Sequence, residues 1–360
     1  MRVAQPKAKR QHHVNPQFYL RKFQCEEGED LIWVYDSESG DAKKVPIKVA
    51  AVQKDYYSFV NPDGLRDTEC VENFIANIEG HAATVFRKFS TGSELSDDDR
   101  RTFALSVSLF IARAPATRRQ TAELLAMTAR TIGRASAMDS AHFRESFRQM
   151  EDHKGVPEED RVSDEELEET RIFVLGDGYT LEVAQEVTLL PLAHLLDVAE
   201  IIRGMRWARI HAPEGSEFIT SDSPVVREIP PQRHHPLMGP GLMNPFIQVS
   251  LPLSPNLTWL GTWDEDLPES AVARKEFVKL LNKLRAVHAE RFLYSRTYRS
   301  GVAKLGAKFF DSGWKLAVSG FGFKGEPIET QTFKSKSKGI APPGRSPPIP
   351  RGQQPKKTDG

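Results

Sequence analysis

From about Asp67 the apolar residues stop alternating as in short strands and begin to recur with the spacing of a helix, so the chain must combine both kinds of element. Val71, Phe74, Ile75, Ile78, Ala82, Val85, Phe86 and Phe89 fall on one helical face. A second helix announces itself at Ser96, an N-cap residue type, with Asp97, Asp98 and Asp99 placed to suit the helix dipole. It runs through Phe103, Val107, Phe110 and Ile111 and should end or kink at Pro115. A third helix is expected over 116–138 and a shorter amphipathic one over 142–150. The acidic stretch 151–168 reads as a solvated connector leading into a short helix capped at Ser163.

The flanks of this helical middle are strand-like. Residues 31–35, a turn at 36–40 and residues 44–49 predict a β-hairpin, and 56–60 predict a further strand. Beyond the middle, 171–175 and 179–183 flank Gly176-Asp177-Gly178, a hairpin signal. A helix over 190–203 should precede strands at 206–211, 217–220, 248–253 and 259–263, and a helix over 271–288 should precede a strand at 291–295. The fold class is therefore α+β: a β-rich N-terminal segment, a helical middle and a mixed second half, closing on one interdependent core. The expected organisation is a single α+β domain over 11–297, a partly ordered extension over 298–333 and a disordered basic Pro/Ser/Lys tail over 334–360.

Composition narrows the class without choosing a function. The 49 basic and 49 acidic residues cancel, so no global attraction to nucleic acid or to a membrane follows. The basic tail (Lys334, Lys336, Lys338, Arg345, Arg351, Lys356 and Lys357) is the one stretch that suits nucleic acid, and a solubilising appendage is its alternative reading. Two cysteines, Cys25 and Cys70, make neither a disulfide framework nor a four-cysteine zinc site and fit a reducing compartment. The basic start at 1–10 is followed by no apolar stretch, and the longest uncharged apolar run, 102–112, falls short of the roughly 20 residues that cross a bilayer. A cytoplasmic protein without a membrane partner is expected.

Several short motifs, taken in order, resemble those of the bacterial domain of unknown function DUF4238. They are His13, Pro16, Leu20 and Phe23 in a His-x-x-Pro-x-x-x-Leu-x-x-Phe pattern, then Trp33 and Tyr35 in a strand. Glu72 and Glu79 follow on a helix, then Thr220, Ser221, Asp222, Pro224 and Val225, and finally Asn282 ahead of Arg291 and Tyr294. The resemblance spans about 11–297 and departs from the pattern at Val14, where an aromatic is usual. It implies a layout and no reaction.

Four of these residues have the chemistry of a site. His13 can act as metal ligand or general base, or its ring can bond a backbone carbonyl and lock the opening turn, while the adjacent His12 is expected to face solvent. Glu72 and Glu79 share a helical face about 10 Å apart, at the edge of the apolar stripe. From there a carboxylate reaches either into a cleft or to an ion pair with Arg87 or a neighbouring helix. Asp222 lies just past an apolar strand start, where sites collect carboxylates and where Asx turns also form.

Together His13, Glu79 and Asp222 have the ligand types for a divalent metal that activates water, the one cofactor suggested. Such a centre would suit a metal-dependent, nuclease-like hydrolase, with Arg113, Arg118 and Asn282 as substrate contacts. The alternatives are a non-catalytic binding or regulatory protein in which the same residues are structural, and a nucleic-acid-binding protein using the tail and the arginine-rich 113–134 helix. His-Glu-x-x-His, Gly-x-x-x-x-Gly-Lys-Ser and Gly-x-Gly-x-x-Gly are all absent, which argues against zinc proteases, P-loop enzymes and dinucleotide oxidoreductases. His234 and His235, in a Pro-rich loop, read as exposed loop residues.

Overall fold

A computed structural model describes residues 11–309, except 27, 62–63, 177 and 234–239. The tail at 334–360 and His234 and His235 lie outside the described residues. The chain opens with β1 (Gln11–His13), the helical turn α1 (Gln17–Leu20), and β2 (Leu31–Asp36) and β3 (Ala42–Pro46). β2 and β3 form the expected antiparallel hairpin, Ile32 opposite Val45. The short strands β4 (Val52–Lys54), β5 (Phe59–Val60) and β6 (Arg66–Asp67) follow, with β4 antiparallel to β1. The strand expected at 56–60 shrinks to β5, because Asp55 takes a left-handed φ of 56° and turns Tyr56 and Tyr57 into the interior.

Five helices make the middle: α2 (Cys70–Thr91), α3 (Asp97–Arg113), α4 (Pro115–Ala137), α5 (Ser140–Lys154) and α6 (Asp164–Leu175). The Ser96 hydroxyl accepts from the Asp99 amide and the Asp99 carboxylate accepts from the Ser96 amide, closing a capping box; Ser163 and Glu166 do the same for α6. Pro115 ends α3 and opens α4, where its missing N–H has no helical partner to lose. The hairpin expected around Gly176-Asp177-Gly178 is not formed. Residues 171–175 complete α6, whose ladder runs on until the Gly176 amide bonds the Ile172 and Phe173 carbonyls, and 179–183 form no strand.

The second half comprises α7 (Leu195–Gly204), β7 (Arg206–His211), β8 (Thr220–Ser221), β9 (Val226–Glu228), β10 (Gln248–Ser254), β11 (Leu257–Thr262), β12 (Ser270–Val272), α8 (Lys275–His288), β13 (Phe292–Ser295) and α9 (Ser300–Phe309). Pro191 holds Gln185–His194 in a 3-10 stretch, so the helix expected from 190 starts at Leu195. The helix expected from 271 starts at Lys275, because Ser270–Val272 instead pair in parallel with β7.

Two larger sheets result, in strand orders β12-β7-β11-β10-β9 and β3-β2-β13-β8. Every residue of β11 is buried, since its sheet is covered on both faces. Trp259 points with Leu251 toward α2, α3 and α7, packing on Phe103 and Trp207, whereas Leu260 joins Ala208 and Ile210 on the face that meets Phe277 of α8. The largest apolar cluster draws on residues from Tyr19 to Tyr294, so the two ends of the described chain are packed together. The α+β class follows directly from these elements.

One position tests this packing. The Trp259 indole folds back over Gly261, and a Cβ added there would lie 2.6 Å from Trp259 Cζ2 and 3.4 Å from Met205 Sδ. Trp259 is fully buried and has nowhere to move. Gly261→Ala should therefore destabilise the fold by about 1–3 kcal/mol, seen as a lower denaturant midpoint at unchanged slope.

Candidate functional site

The side chains of β1 alternate, which sends the two neighbouring histidines in opposite directions. His12, expected to face solvent, is the buried one. Its Nδ1 accepts from the Tyr57 amide at 2.9 Å, so its hydrogen sits on Nε2, which donates to the Thr68 carbonyl at 3.1 Å. His12 thus ties β1 to the turn before α2, and its ring lies 5.4 Å from that of Tyr57.

His13 faces the other way, into a cleft of about 350 Å³ between the opening segment and α2. Its Nε2 lies 3.2 Å from the Lys48 carbonyl and 3.2 Å from the Gln17 amide nitrogen, and one ring nitrogen cannot donate to the first while accepting from the second. The Gln17 carbonyl accepts from Arg21 Nη2 at 3.0 Å, and Arg21 Nε donates to Asp30 at 2.9 Å. The opposite wall is α2, where Glu72 and Glu79 flank Ile75 and Ala76. The two glutamates therefore do point into a cleft, and it is the cleft that His13 and Pro16 also line.

Behind Glu79 lies Arg113, with a side chain only 1% exposed against 27% for Glu79 and a 2.5 Å bond from Nη1 to the carboxylate. Arg113 Cζ also sits 4.7 Å from the Phe110 ring centre. Arg113 is thus beneath the cleft wall, and Glu79 is the group that its charge reaches. Arg118 is buried elsewhere: it holds the Tyr56 and Gln185 carbonyls and the Thr188 hydroxyl, stacked 4.4 Å over Tyr56. Asn282 bridges the Ile219 amide and the Glu217 carbonyl. On the arginine-rich helix, Arg119 pairs with Glu290 and Glu123, and Arg130 bonds the Tyr179 carbonyl.

Asp222 does not join His13 and Glu79. Its carboxylate accepts from the backbone amides of Glu290 at 2.9 Å, Arg291 at 2.7 Å and Phe292 at 2.9 Å, drawing the start of β13 against β8. Its own turn is closed instead by the Ser221 hydroxyl, which accepts from the Ser223 amide. Burial pushes the Asp222 carboxyl up to about 6, while the three amide bonds pull it down. The expected His13, Glu79 and Asp222 metal set is thereby corrected: among the described residues no three His, Cys, Asp or Glu side chains come together to hold an ion. The reason is physical, since the Asp222 oxygens are taken by backbone donors. The roles of His12 and Arg113 were missed, although the strand period alone places His12 opposite His13.

His12→Ala should lower stability by about 1–3 kcal/mol, because it leaves the buried Tyr57 amide and Thr68 carbonyl without partners. His13→Ala, at the cleft surface, should cost clearly less in the same denaturation experiment. For Asp222 the sign follows from a folded value of about 6 against roughly 3.9 in an unfolded chain. A raised carboxyl contributes stability that is complete below about pH 4 and is lost as pH rises through about 6. Denaturation across that window should show this decline in the wild type and lack it in Asp222→Asn.

No helix among the described residues is long and apolar enough to cross a membrane. No curated protein and no solved structure matches the chain. A family model described as a protein of unknown function (DUF4238) matches residues 10–299, most of the chain, and the chain belongs to the DUF4238 family.

Proposed function

We propose that this is a binding protein whose ligand is a small molecule carrying an amine or guanidine group, taken up in the cleft between the opening segment and α2. The observation that carries the reading is convergence: His13 and Gln17 on one wall meet Glu72 and Glu79 on the other, although the walls are far apart in sequence. Carboxylates on a concave, partly apolar surface favour a cationic ligand, with Ile75, Ala76 and Phe18 supplying apolar contact. Arg113 fixes Glu79 in place, and the Gln17–Arg21–Asp30 chain fixes the facing wall, so little ordering remains for binding to impose.

The second reading is the metal-dependent, nuclease-like hydrolase, and it rests on His13 and Glu79 lining the same cleft. It has two candidate ligands there and must do without Asp222, whose oxygens are bonded to backbone.

One set of measurements separates the two. A panel of small amines and guanidines, with neutral and anionic analogues of equal size, is screened by thermal shift and then by calorimetric titration. A cationic compound should raise the melting temperature saturably in the wild type. Glu72→Gln should weaken that response while the neutral and anionic analogues do nothing in either protein. Equal responses from wild type and Glu72→Gln would remove the binding reading. Metal-stimulated cleavage of a phosphodiester that disappears in His13→Ala would establish the second reading in its place.

A further inference from the structure

The last turns of α8 carry a charge that no carboxylate among the described residues balances. Val278, Leu281, Arg285 and His288 follow one another on a single face of α8, and the first three are buried. Arg285 is fully buried in this row, yet its guanidinium makes one hydrogen bond, from Nη2 to the Ser250 hydroxyl at 3.0 Å. Its Nε and Nη1 are enclosed without any partner, and so is Nε2 of His288 one turn further on. No carboxylate pairs with Arg285, His288 or Arg227 of β9 among the described residues.

The neighbouring phenol cannot supply the missing charge. Tyr19 bonds the Thr220 hydroxyl at 2.6 Å, and burial pushes its phenol well up, so it stays neutral. Burial likewise pushes Arg285 down to about 9, and burial, Arg285 and Arg227 together push His288 down to about 4. An unpaired buried guanidinium is among the most costly groups a core can hold, and apolar replacements of such groups are often neutral or stabilising. Retaining one beside a second arginine and a histidine makes sense when something anionic completes the set. Arg285 is the enclosed end of this cluster, whereas Arg227 and His288 are each half-buried, which makes theirs the side nearer the surface.

We propose that the seam between α8 and strands β9 and β10 binds a phosphate group, held by Arg285, His288, Arg227 and the Ser250 hydroxyl. A guanidinium presents its N–H groups as a planar fork that matches phosphate oxygens, and imidazole and hydroxyl donors suit the remaining ones. The site lies apart from the His13 cleft, and no residue lining that cleft takes part in it.

Calorimetric titration at fixed ionic strength tests the assignment with inorganic phosphate, a small phosphate monoester and acetate as probes. Saturable one-to-one binding of inorganic phosphate or the monoester is expected, and the tighter of the two tells whether the ligand is the free ion or an ester. Arg285→Met should abolish binding while keeping the fold, since it exchanges a buried charge for an apolar chain of similar length. His288→Leu, at the partly exposed end, should weaken binding about tenfold by removing a donor and should fold whatever Arg285→Met does. Binding of acetate alone, no binding of any probe, or unchanged affinity in His288→Leu would each overturn the proposal.

Discussion

The carboxylate of Asp222 is the interaction on which the second half of this fold depends. It bonds three consecutive backbone amides, those of 290–292, at the point where α8 has ended and β13 begins. Those amides have lost the helix and have not yet joined the sheet, and buried amides without partners are costly. Their satisfaction by one side chain sets where β13 starts, and so sets its pairing with β2 on one side and β8 on the other. The neighbouring side chains follow: Glu290 turns to Arg119 of α4, and Arg291 turns to Asp36 at the end of β2. A single acceptor thereby couples the helical middle, the N-terminal hairpin and the closing strand.

This explains why the Thr220–Ser221–Asp222 segment looks like a site in sequence and is a clamp in space. Both roles want an acidic residue at a strand end, and only the location of the donors tells them apart. The donors come from residues 68 to 70 positions later, a distance over which sequence spacing carries no signal. The same limit hid the partner of His12, since Tyr57 and Thr68 reach it only after a turn that Asp55 makes in the left-handed region.

What was legible is what is decided locally. Ser96 and Ser163 start their helices because each box closes within a few residues, and Pro115 marks a helix junction by removing its own donor. The hairpin of β2 and β3 follows from alternation around a short turn. The failures share a pattern as well. Ile172 and Val174 are β-branched and precede a Gly-Asp-Gly turn signal, yet the helix opened at Ser163 continues through them, because propagation adds one bond for each residue fixed whereas a new hairpin must be nucleated. Ala271 and Val272 fall inside the helix expected over 271–288 because their partner strand, β7, lies some sixty residues earlier.

Candidate site residues were legible in a weaker sense: His13 and Glu79 were grouped and do line one cleft with Glu72, but Asp222, grouped with them, is bonded to backbone elsewhere. Arg285 is the more instructive case, because its signal was present and local. It stands on the apolar stripe of α8, at a helical spacing from Val278 and Leu281 that no solvated arginine needs to keep. A charged residue on a buried stripe is either paired or an exception that requires a ligand. Glu79 and Arg113 show the first outcome, since the acid lies at the edge of its stripe and brings a buried arginine its partner. Arg285 has no such acid among the described residues, and its remaining donors turn a packing position into a place where binding energy can be stored. The two candidate sites are thus opposite in charge: a cleft lined by Glu72 and by a Glu79 that Arg113 holds in place, and a seam around Arg285 whose guanidinium keeps donors unused.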